Sequence, residues 1–356
     1  MVPGGREAHG ADRIAKPVRE GPPSLPYACP VTPAELSRTV LHAVCRAVED
    51  GVLRVPVPVP ESVRVERPRP GGSGDYATNV ALRLAGPAGR QPREVAEILR
   101  SRVAGTRGIE RVEITGPGFL NFTLGEGAQQ ALVRDVLWCG REYGHGTALE
   151  GVRIMFVPVE ELRAGILTHT VVQLLRTQGA AAGVQPDARE MLRPVPAPSR
   201  DLFERLGPDA ARWALLSVAA HDHPLAGDEL LTQHEANPLF RVRYAYSRTR
   251  ALTRNAAQLG FDSDPRQHVD APALTTAIGD YPAVLASAAR LRAPDRLARH
   301  LESTADALLG FQHTVLPFGD EKPSAAHRSR LALAEAAGTV LAGGLSLLGI
   351  GAPDYL

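Results

Sequence analysis

The sequence predicts an α+β protein in which a small N-terminal α/β domain is joined by a degenerate connector to an all-α helical bundle. Between residues 31 and 147, segments with helical spacing of apolar residues alternate with segments of period two. Residues 148–200 are proline-rich and weakly periodic, which is typical of a connector. From residue 201 to residue 356 nearly every segment has helical spacing. Residues 1–30 precede the first periodic segment and are predicted to form a disordered tail.

The composition excludes several classes of function. The chain has 356 residues, 44% of them apolar, with 40 basic and 39 acidic side chains. A net charge of +1 excludes a globally basic nucleic-acid binder but permits local basic patches. Its three cysteines form no CxxC pair, so we expect no zinc site or disulfide scaffold, and a cytoplasmic location. The longest uncharged run, residues 336–352, is short for a membrane span and predicts a buried helix.

Capping and periodicity predict the first helix. Thr32 supplies a hydroxyl cap and Pro33 occupies the first helical position. Leu36, Val40 and Val44 then recur at helical spacing. We expect them to form one buried stripe.

The rest of the N-terminal domain is predicted to be a turn, a helix and a hairpin. Residues 55–65 alternate valine with proline and predict an extended edge or connector, and the glycine-rich residues 71–74 predict a turn. A second helix is predicted to open at Pro92. Two strands follow at residues 111–115 and 119–124, hinged at a Gly-Pro-Gly turn.

The second of these strands places an aromatic ring beside an amide. Period two puts Phe119 and Asn121 on the face opposite Leu120 and Phe122. Two interpretations are open at this point. The pair forms either a second core layer with a capped amide, or a platform on which a base stacks on Phe119 and hydrogen-bonds to Asn121.

The second half of the chain is predicted to be helical after a short segment that contains one strand and one helix. A short strand is predicted at residues 153–157 and a helix at residues 166–178, followed by four prolines within residues 186–199. From residue 201 the predicted helices are interrupted near five prolines, namely Pro224, Pro265, Pro282, Pro294 and Pro317.

One predicted helix carries five arginines and no acid between residues 241 and 254. At 100° per residue, Arg243, Arg250 and Arg254 share one face with Tyr246. This face offers guanidinium groups and a ring to a phosphate backbone or an unpaired base. A solvated charged face is the alternative interpretation. The opposite face holds Arg241 and Arg248, which we expect to pair with acids of a neighbouring helix.

Other candidate motifs are better explained as ordinary structure. His221 and His223 point in different directions on a helix and lack a third ligand, so a solvated loop is predicted there. The glycine-rich turns lack the third glycine of a dinucleotide loop and the lysine of a phosphate loop. We therefore predict no catalytic residue, no cofactor and no metal.

Several motifs resemble those of one family, the arginyl-tRNA synthetases. The N-terminal half resembles the additional domain of these enzymes, and the helical half resembles their anticodon-binding domain of the DALR type. The N-terminal matches are GDYATNVAL at residues 74–82, PREVA at residues 92–96 and GPGFLNF at residues 116–122. The C-terminal matches are GPDAARW at residues 207–213, NPLF at residues 237–240, RYAY at residues 243–246, GGLSLLG at residues 343–349 and APDYL at residues 352–356.

The resemblance implies two contacts with tRNA. The strand with Phe119 and Asn121 matches a strand that contacts the tRNA elbow in the family. A neighbouring loop of the family matches Tyr76, Asn79 and Asp75. For these three residues, a structural role in a turn or a helix cap is an equally open interpretation. The helical domain contacts the anticodon stem and loop, which assigns RNA contact to the face of Arg243, Tyr246, Arg250 and Arg254. Many relatives have a glutamine and a histidine where this chain has Arg243 and Tyr246, which favours stacking and phosphate contact over a base-specific code.

The segment between the two matches is short for the family's nucleotide-binding domain. Residues 153–157 look like its first strand and residues 174–180 like the end of its first helix. Residues 158–161 stand where the family has two histidines. The only nearby histidine, His169, is assigned to a solvated or packed position on a helix. We therefore expect that the protein is not an enzyme and does not charge tRNA.

Three functional hypotheses follow from these observations. The first is a non-catalytic, cytoplasmic paralogue of the synthetase that binds tRNA or a tRNA-like RNA through both domains. The second is an interaction scaffold or enzyme accessory that holds a protein partner on the same surfaces. The third is residual arginine–tRNA ligase activity with ATP. None of them involves a membrane or a metal.

Overall fold

The computed structural model describes residues 33–55, 63–66, 68, 73–106, 108–125 and 127–356. The predictions for residues 1–30, for Thr32 and for most of residues 55–65 lie outside these ranges. The described helices are α1 (Pro33–Glu49), α2 (Val80–Ala88), α3 (Pro92–Val103), α4 (Ala128–Cys139), α5 (Leu162–Thr177), α6 (Leu202–Leu216), α7 (Pro238–Gln258), α8 (Pro272–Leu291), α9 (Pro294–Phe311) and α10 (Ala325–Leu347). The described strands are β1 (Tyr76–Thr78), β2 (Ile109–Thr115), β3 (Phe119–Leu124), β4 (Arg153–Phe156) and β5 (Ala181–Val184).

The N-terminal unit is a three-stranded antiparallel sheet covered by helices α1 to α3. The strand order is β1-β3-β2, so β3 lies in the centre. Leu36 and Val40 of α1, Leu99 of α3 and Phe122 of β3 are fully buried in its core. The predicted stripe, the helix that opens at Pro92 and the hairpin are therefore confirmed, whereas α2 was not predicted. The segment expected as a loop around Tyr76 instead contains β1, which pairs with β3 along Tyr76–Thr78.

The middle segment is a β-α-β unit and is firmly packed. β4 and β5 form a parallel pair joined by α5, and β5 was not predicted. Arg163 of α5 is 1% exposed, and its guanidinium donates to five backbone carbonyls of the segments around α6, including Leu215 O at 3.0 Å and Asp222 O at 2.7 Å. These hydrogen bonds satisfy a buried charge and anchor the predicted connector to the helical half.

Helices α6 to α10 form the predicted all-α half, and one predicted break is wrong. α8 continues through Pro282. Proline lacks the N–H that would bond to the carbonyl four residues earlier. That carbonyl, Ile278 O, instead accepts a hydrogen bond of 3.2 Å from the Tyr143 hydroxyl. The side chain from outside the helix removes the penalty of an unpaired carbonyl, so the helix persists.

The two units share a fixed junction. α4 follows β3 directly but packs against α10, within a second core that runs from Leu132 to Ile350. At the start of α4 the Gln129 amide donates to Val269 O at 2.8 Å and accepts from Val269 N at 2.7 Å. α1 also contacts α8. The N-terminal unit is therefore held against the bundle at more than one point.

Helix α10 forms the centre of the bundle, as expected for an apolar terminal helix. Its glycines allow close approach to neighbours, since a Cβ atom added to Gly338 would lie 2.5 Å from Thr249 Oγ1 of α7. Among the described residues, no helix combines the length and the apolar character that spanning a membrane requires.

Candidate nucleic-acid interface

The N-terminal unit presents an exposed ring at the start of its central strand. Phe119 is 36% exposed. The preceding Gly118 has φ 146°, and an added Cβ atom there would be 2.8 Å from the carbonyl oxygen of Pro92. Glycine is therefore required for the turn that places Phe119 beside the amino end of α3, where Arg90 and Arg93 are exposed.

Asn121 lies two residues further along β3 and is only 3% exposed. Because β3 is the central strand, Asn121 is flanked by Ala77 of β1 and Glu113 of β2. Its Nδ2 atom donates a hydrogen bond of 2.6 Å to Thr115 Oγ1. The structure thus exposes Phe119 of the predicted pair and gives Asn121 the environment of a capped amide.

The residues before α2 also differ in exposure. Tyr76 lies opposite Phe122 in the sheet and is 8% exposed. The Asp75 carboxylate accepts a hydrogen bond of 2.8 Å from the backbone N–H of Leu124 and ties this segment to the end of β3. Asn79 is exposed, and its side chain makes no capping hydrogen bond to α2. Asp75 is also exposed but is engaged with Leu124, so Asn79 is the exposed member of this group whose side chain makes no capping bond.

Helix α7, which carries the predicted arginine face, has a fixed start. Asn237 Oδ1 accepts a hydrogen bond from Phe240 N at 3.2 Å, and its Nδ2 donates to Leu230 O at 2.9 Å and to Thr232 O at 2.8 Å. Pro238 occupies the first helical position, where its missing N–H has no consequence. The NPLF motif therefore joins the preceding loop to α7.

The two arginines predicted to turn towards a neighbouring helix do so. Arg241 forms ion pairs with Glu302 at 3.4 Å and Asp306 at 2.9 Å, both on α9. Arg248 Nε donates instead to an amide oxygen, Gln312 Oε1, at 2.8 Å. Both side chains hold α7 in place.

The structure brings the predicted face together but covers it with the C-terminal tail, defined here as residues 351–356. The Asp354 carboxylate pairs with Arg250 Nε at 3.2 Å and accepts a hydrogen bond of 3.1 Å from the Tyr246 hydroxyl. The ring of Tyr355 lies 4.1 Å from the guanidinium carbon of Arg254. Spacing along α7 predicted the face, but its partners lie about a hundred residues away in the sequence and carry no local signal.

The C-terminal tail changes the pKa of the Tyr246 hydroxyl. Burial raises the pKa of the Tyr246 hydroxyl, and its hydrogen bond to Asp354 raises it further. The charges of Arg250 and Arg141 act in the opposite direction. The hydroxyl is therefore a neutral donor, able to bond an anionic oxygen such as a carboxylate or a phosphate.

A cavity of about 290 Å³ lies beside Arg243. Its walls include Leu206, Asp209, Phe240, Arg243 and Leu356. α6 is kinked at Gly207, which also lines the cavity. Arg243 Nη2 lies 3.6 Å from Asp209 Oδ2, whereas Arg243 Nε is buried and has no hydrogen-bond partner among the described residues. Thr232, Gln233 and Asn237 add further polar groups to the lining. Such a mixture of polar and apolar groups suits a planar ring with a polar edge.

The remaining sequence candidates have structural or solvent-exposed positions. The Glu161 carboxylate caps α5, accepting hydrogen bonds from Ala164 N at 2.7 Å, Arg163 N at 3.1 Å and Ala197 N at 2.8 Å. Burial alone would raise the pKa of Glu161, but these bonds hold it below its usual value. His169 and His221 are exposed. In the part of the chain that the structure describes, no three potential metal ligands form a cluster.

Two family models match the chain. Residues 35–124 match the arginyl tRNA synthetase N terminal domain, and residues 242–356 match the DALR anticodon binding domain. The first model covers the sheet with Phe119 and Asn79, and the second covers most of α7 and the C-terminal tail.

Proteins with similar sequences are named as ligases. The arginine–tRNA ligase of Renibacterium salmoninarum is 26% identical over 550 residues, in an alignment that spans 92% of this chain and all of the relative. The arginine–tRNA ligase of Frankia alni is 51% identical over 124 residues, which is 35% of this chain and 22% of the relative.

Solved structures share the fold. Arginyl-tRNA synthetase of Thermus thermophilus superposes with a TM-score of 0.67 at 14% identity, covering 90% of this chain and all of that one. The enzyme of Plasmodium falciparum gives a TM-score of 0.60 at 9% identity, covering 92% of this chain and all of that one. At such identities these likenesses concern the fold.

The matches correct one expectation from the sequence. We expected a protein that is not an enzyme, because the middle segment is short for the family's nucleotide-binding domain and no signature histidine could be identified in it. The long relatives are arginine–tRNA ligases, and their alignments span 92% of this chain and their own full length. They give no indication that a catalytic domain is missing. The length of one segment and a motif that could not be identified in it were an insufficient basis for that expectation.

Proposed function

We propose that this chain binds tRNA or a tRNA-like RNA in the cytoplasm. The premise is that it is a relative of the arginyl-tRNA synthetases and carries their N-terminal and anticodon-binding domains. The main observation in support of this proposal is the basic face of α7, which lies beside a cavity. Arg243, Tyr246, Arg250 and Arg254 supply phosphate and base contacts, and the cavity accepts an unpaired base.

The N-terminal unit supplies the second contact in this proposal. Phe119 stacks a base of the tRNA elbow, with Arg90 and Arg93 nearby for phosphates and Asn79 as a polar contact. Tyr76 and Asn121 support this surface from within the sheet, because both are buried. Stacking on an exposed ring tolerates any base, so recognition here depends on RNA shape.

Charge reversal on α7 tests the proposal directly. In Arg250→Glu/Arg254→Glu we expect weaker binding of total tRNA, and a slope of log affinity against log salt that is shallower by about 1 to 2. The matched control is Arg290→Glu/Arg296→Glu, which makes the same charge change at exposed arginines of α8 and α9. Filter binding at several salt concentrations measures both quantities.

Equal weakening by the two double variants would mean that general charge, rather than the α7 face, governs binding. Absence of tRNA binding at low salt would refute the proposal and favour the alternative, a surface that holds a protein partner.

A second candidate function is supported by the names of the long relatives. Ligation of arginine to tRNA would require ATP-dependent activation of arginine, which arginine-dependent exchange of pyrophosphate into ATP detects. Incorporation of labelled arginine into tRNA in the presence of ATP would establish this function. Absence of both signals in a preparation that binds tRNA would leave the binding function alone.

A further inference from the structure

Helix α4 connects the two surfaces of the proposed function. It begins after residues 125–127, directly beyond the strand that carries Phe119. It packs on α10, which also contacts α7. In the packing of the molecule, α4 therefore joins the unit that carries Phe119 to the helix that packs on α7.

The outer face of α4 carries an exposed tryptophan and an arginine, and a second arginine lies just beyond the end of the helix. Trp138 is 66% exposed. Arg134 lies four residues before it on α4, a spacing that brings side chains together on one side of a helix. Arg141 lies in the 3₁₀ turn Gly140–Glu142, which follows the end of α4. Both arginines are exposed and form no ion pair with another described residue. The acids of this region, Asp135 and Glu142, act on Cys139.

The surface around Trp138 continues to α7. Arg141 is close enough to Tyr246 to oppose the rise of its pKa. The backbone of Arg141 also lies against α10, where its carbonyl oxygen is 3.5 Å from the position of a Cβ atom built on Gly343. Arg141, three residues after Trp138 in the chain, thus lies between the end of α4 and Tyr246 of α7.

The chemistry of this surface fits RNA better than a protein partner. Its exposed neighbours are charged, with no further large apolar side chain of α4 exposed beside the ring. A lone ring among arginines is suited to stacking a base and contacting phosphates, whereas protein docking sites are extended apolar patches.

We propose that Trp138 stacks an unpaired base of the bound RNA while Arg134 and Arg141 contact its phosphates, so that α4 is a third RNA contact between Phe119 and the α7 face. This inference rests on the proposed tRNA binding. It identifies a contact residue that neither the sequence motifs nor the family matches single out.

Tryptophan fluorescence provides a direct test, because the chain has two tryptophans in very different environments. Trp213 of α6 is 1% exposed and Trp138 is 66% exposed. Titration with total tRNA is expected to quench the emission of Trp138 by base stacking. The quench should be absent in Trp138→Phe, which retains a ring and should bind nearly as well as the unmodified protein.

The affinity of the alanine variant provides the second readout. Trp138→Ala should weaken tRNA binding by about 5- to 100-fold, the range observed when a stacking aromatic is removed. Phe318→Ala is the matched control, since Phe318 is 92% exposed in the loop before α10 and should leave affinity unchanged. Unchanged Trp213 emission verifies that each variant is folded.

The outcomes separate the two proposals. Binding without quenching, together with unchanged affinity of Trp138→Ala, overturns the role of Trp138 and leaves the proposed function intact. Absence of tRNA binding by the unmodified protein overturns both.

Discussion

Individual polar residues in the helical half are buried in two different ways. Arg163 keeps its charge because backbone carbonyls surround the guanidinium. His300 has much weaker compensation, since its Nε2 atom is buried without a hydrogen-bond partner among the described residues. A backbone hydrogen bond with Ala277 offsets only part of the effect of burial, and the ring lies 5.9 Å from that of Tyr281. Burial therefore lowers the pKa of His300 to about 4. The histidine is neutral in the folded protein over a pH range in which it is protonated when unfolded.

This difference predicts a loss of stability in mild acid. The pKa of His300 in the folded state is below its unfolded value of about 6.5. The free energy of unfolding is therefore unaffected by this group above pH 6.5, and it decreases as the pH falls towards 4. At pH 5 the loss from His300 alone should be about 2 kcal/mol. Urea unfolding at pH 7.5 and pH 5 measures it, with His300→Gln as a variant that does not titrate. An equal pH dependence in both proteins would show that His300 is not responsible.

At the scale of the elements, the C-terminal tail packs on the arginine face of α7. The tail presents a carboxylate to Arg250 and an aromatic ring to Arg254. These are the two groups, an anion and a ring, that a nucleotide would present to the same arginines. RNA and the tail therefore cannot make these contacts at the same time.

Weakening the tail should consequently strengthen RNA binding. We expect Asp354→Asn to bind tRNA several-fold more tightly, with a salt slope steeper by about 1, because Arg250 is released for a phosphate. Asp320→Asn, an exposed acid in the loop before α10, removes the same charge elsewhere and serves as the control. Weaker binding by Asp354→Asn alone would mean that the tail is part of the RNA site.

Local patterns predicted most elements but not the contacts between distant ones. The arginine face of α7 followed from a 100° spacing, and α3 from its initial proline. The continuation of α8 through Pro282 was not predictable, because it depends on a hydroxyl of Tyr143 far away in the sequence. The burial of Asn121 likewise depends on the central place of β3, which alternation within one strand does not reveal.

At the scale of the whole molecule, the two units are held at a fixed spacing. α4 belongs to the core of the bundle, Gln129 ties its start to the segment before α8, and α1 also contacts α8. The middle segment is locked to α6 by Arg163. Two RNA contacts on such a scaffold act as one bivalent site if the RNA spans both, and no linker entropy is lost on binding.

Bivalency can be tested by comparing whole tRNA with an isolated anticodon stem-loop. We expect whole tRNA to bind at least tenfold more tightly, because the elbow reaches Phe119 once the anticodon end is held on α7. Phe119→Ala should weaken binding of whole tRNA and leave the stem-loop unaffected, whereas Arg250→Glu/Arg254→Glu should weaken both RNAs. Competition titrations at constant salt provide all six affinities. If Phe119→Ala had the same effect on the stem-loop as on whole tRNA, the two surfaces would not be sharing one molecule, and the fixed junction at α4 would have no role in recognition.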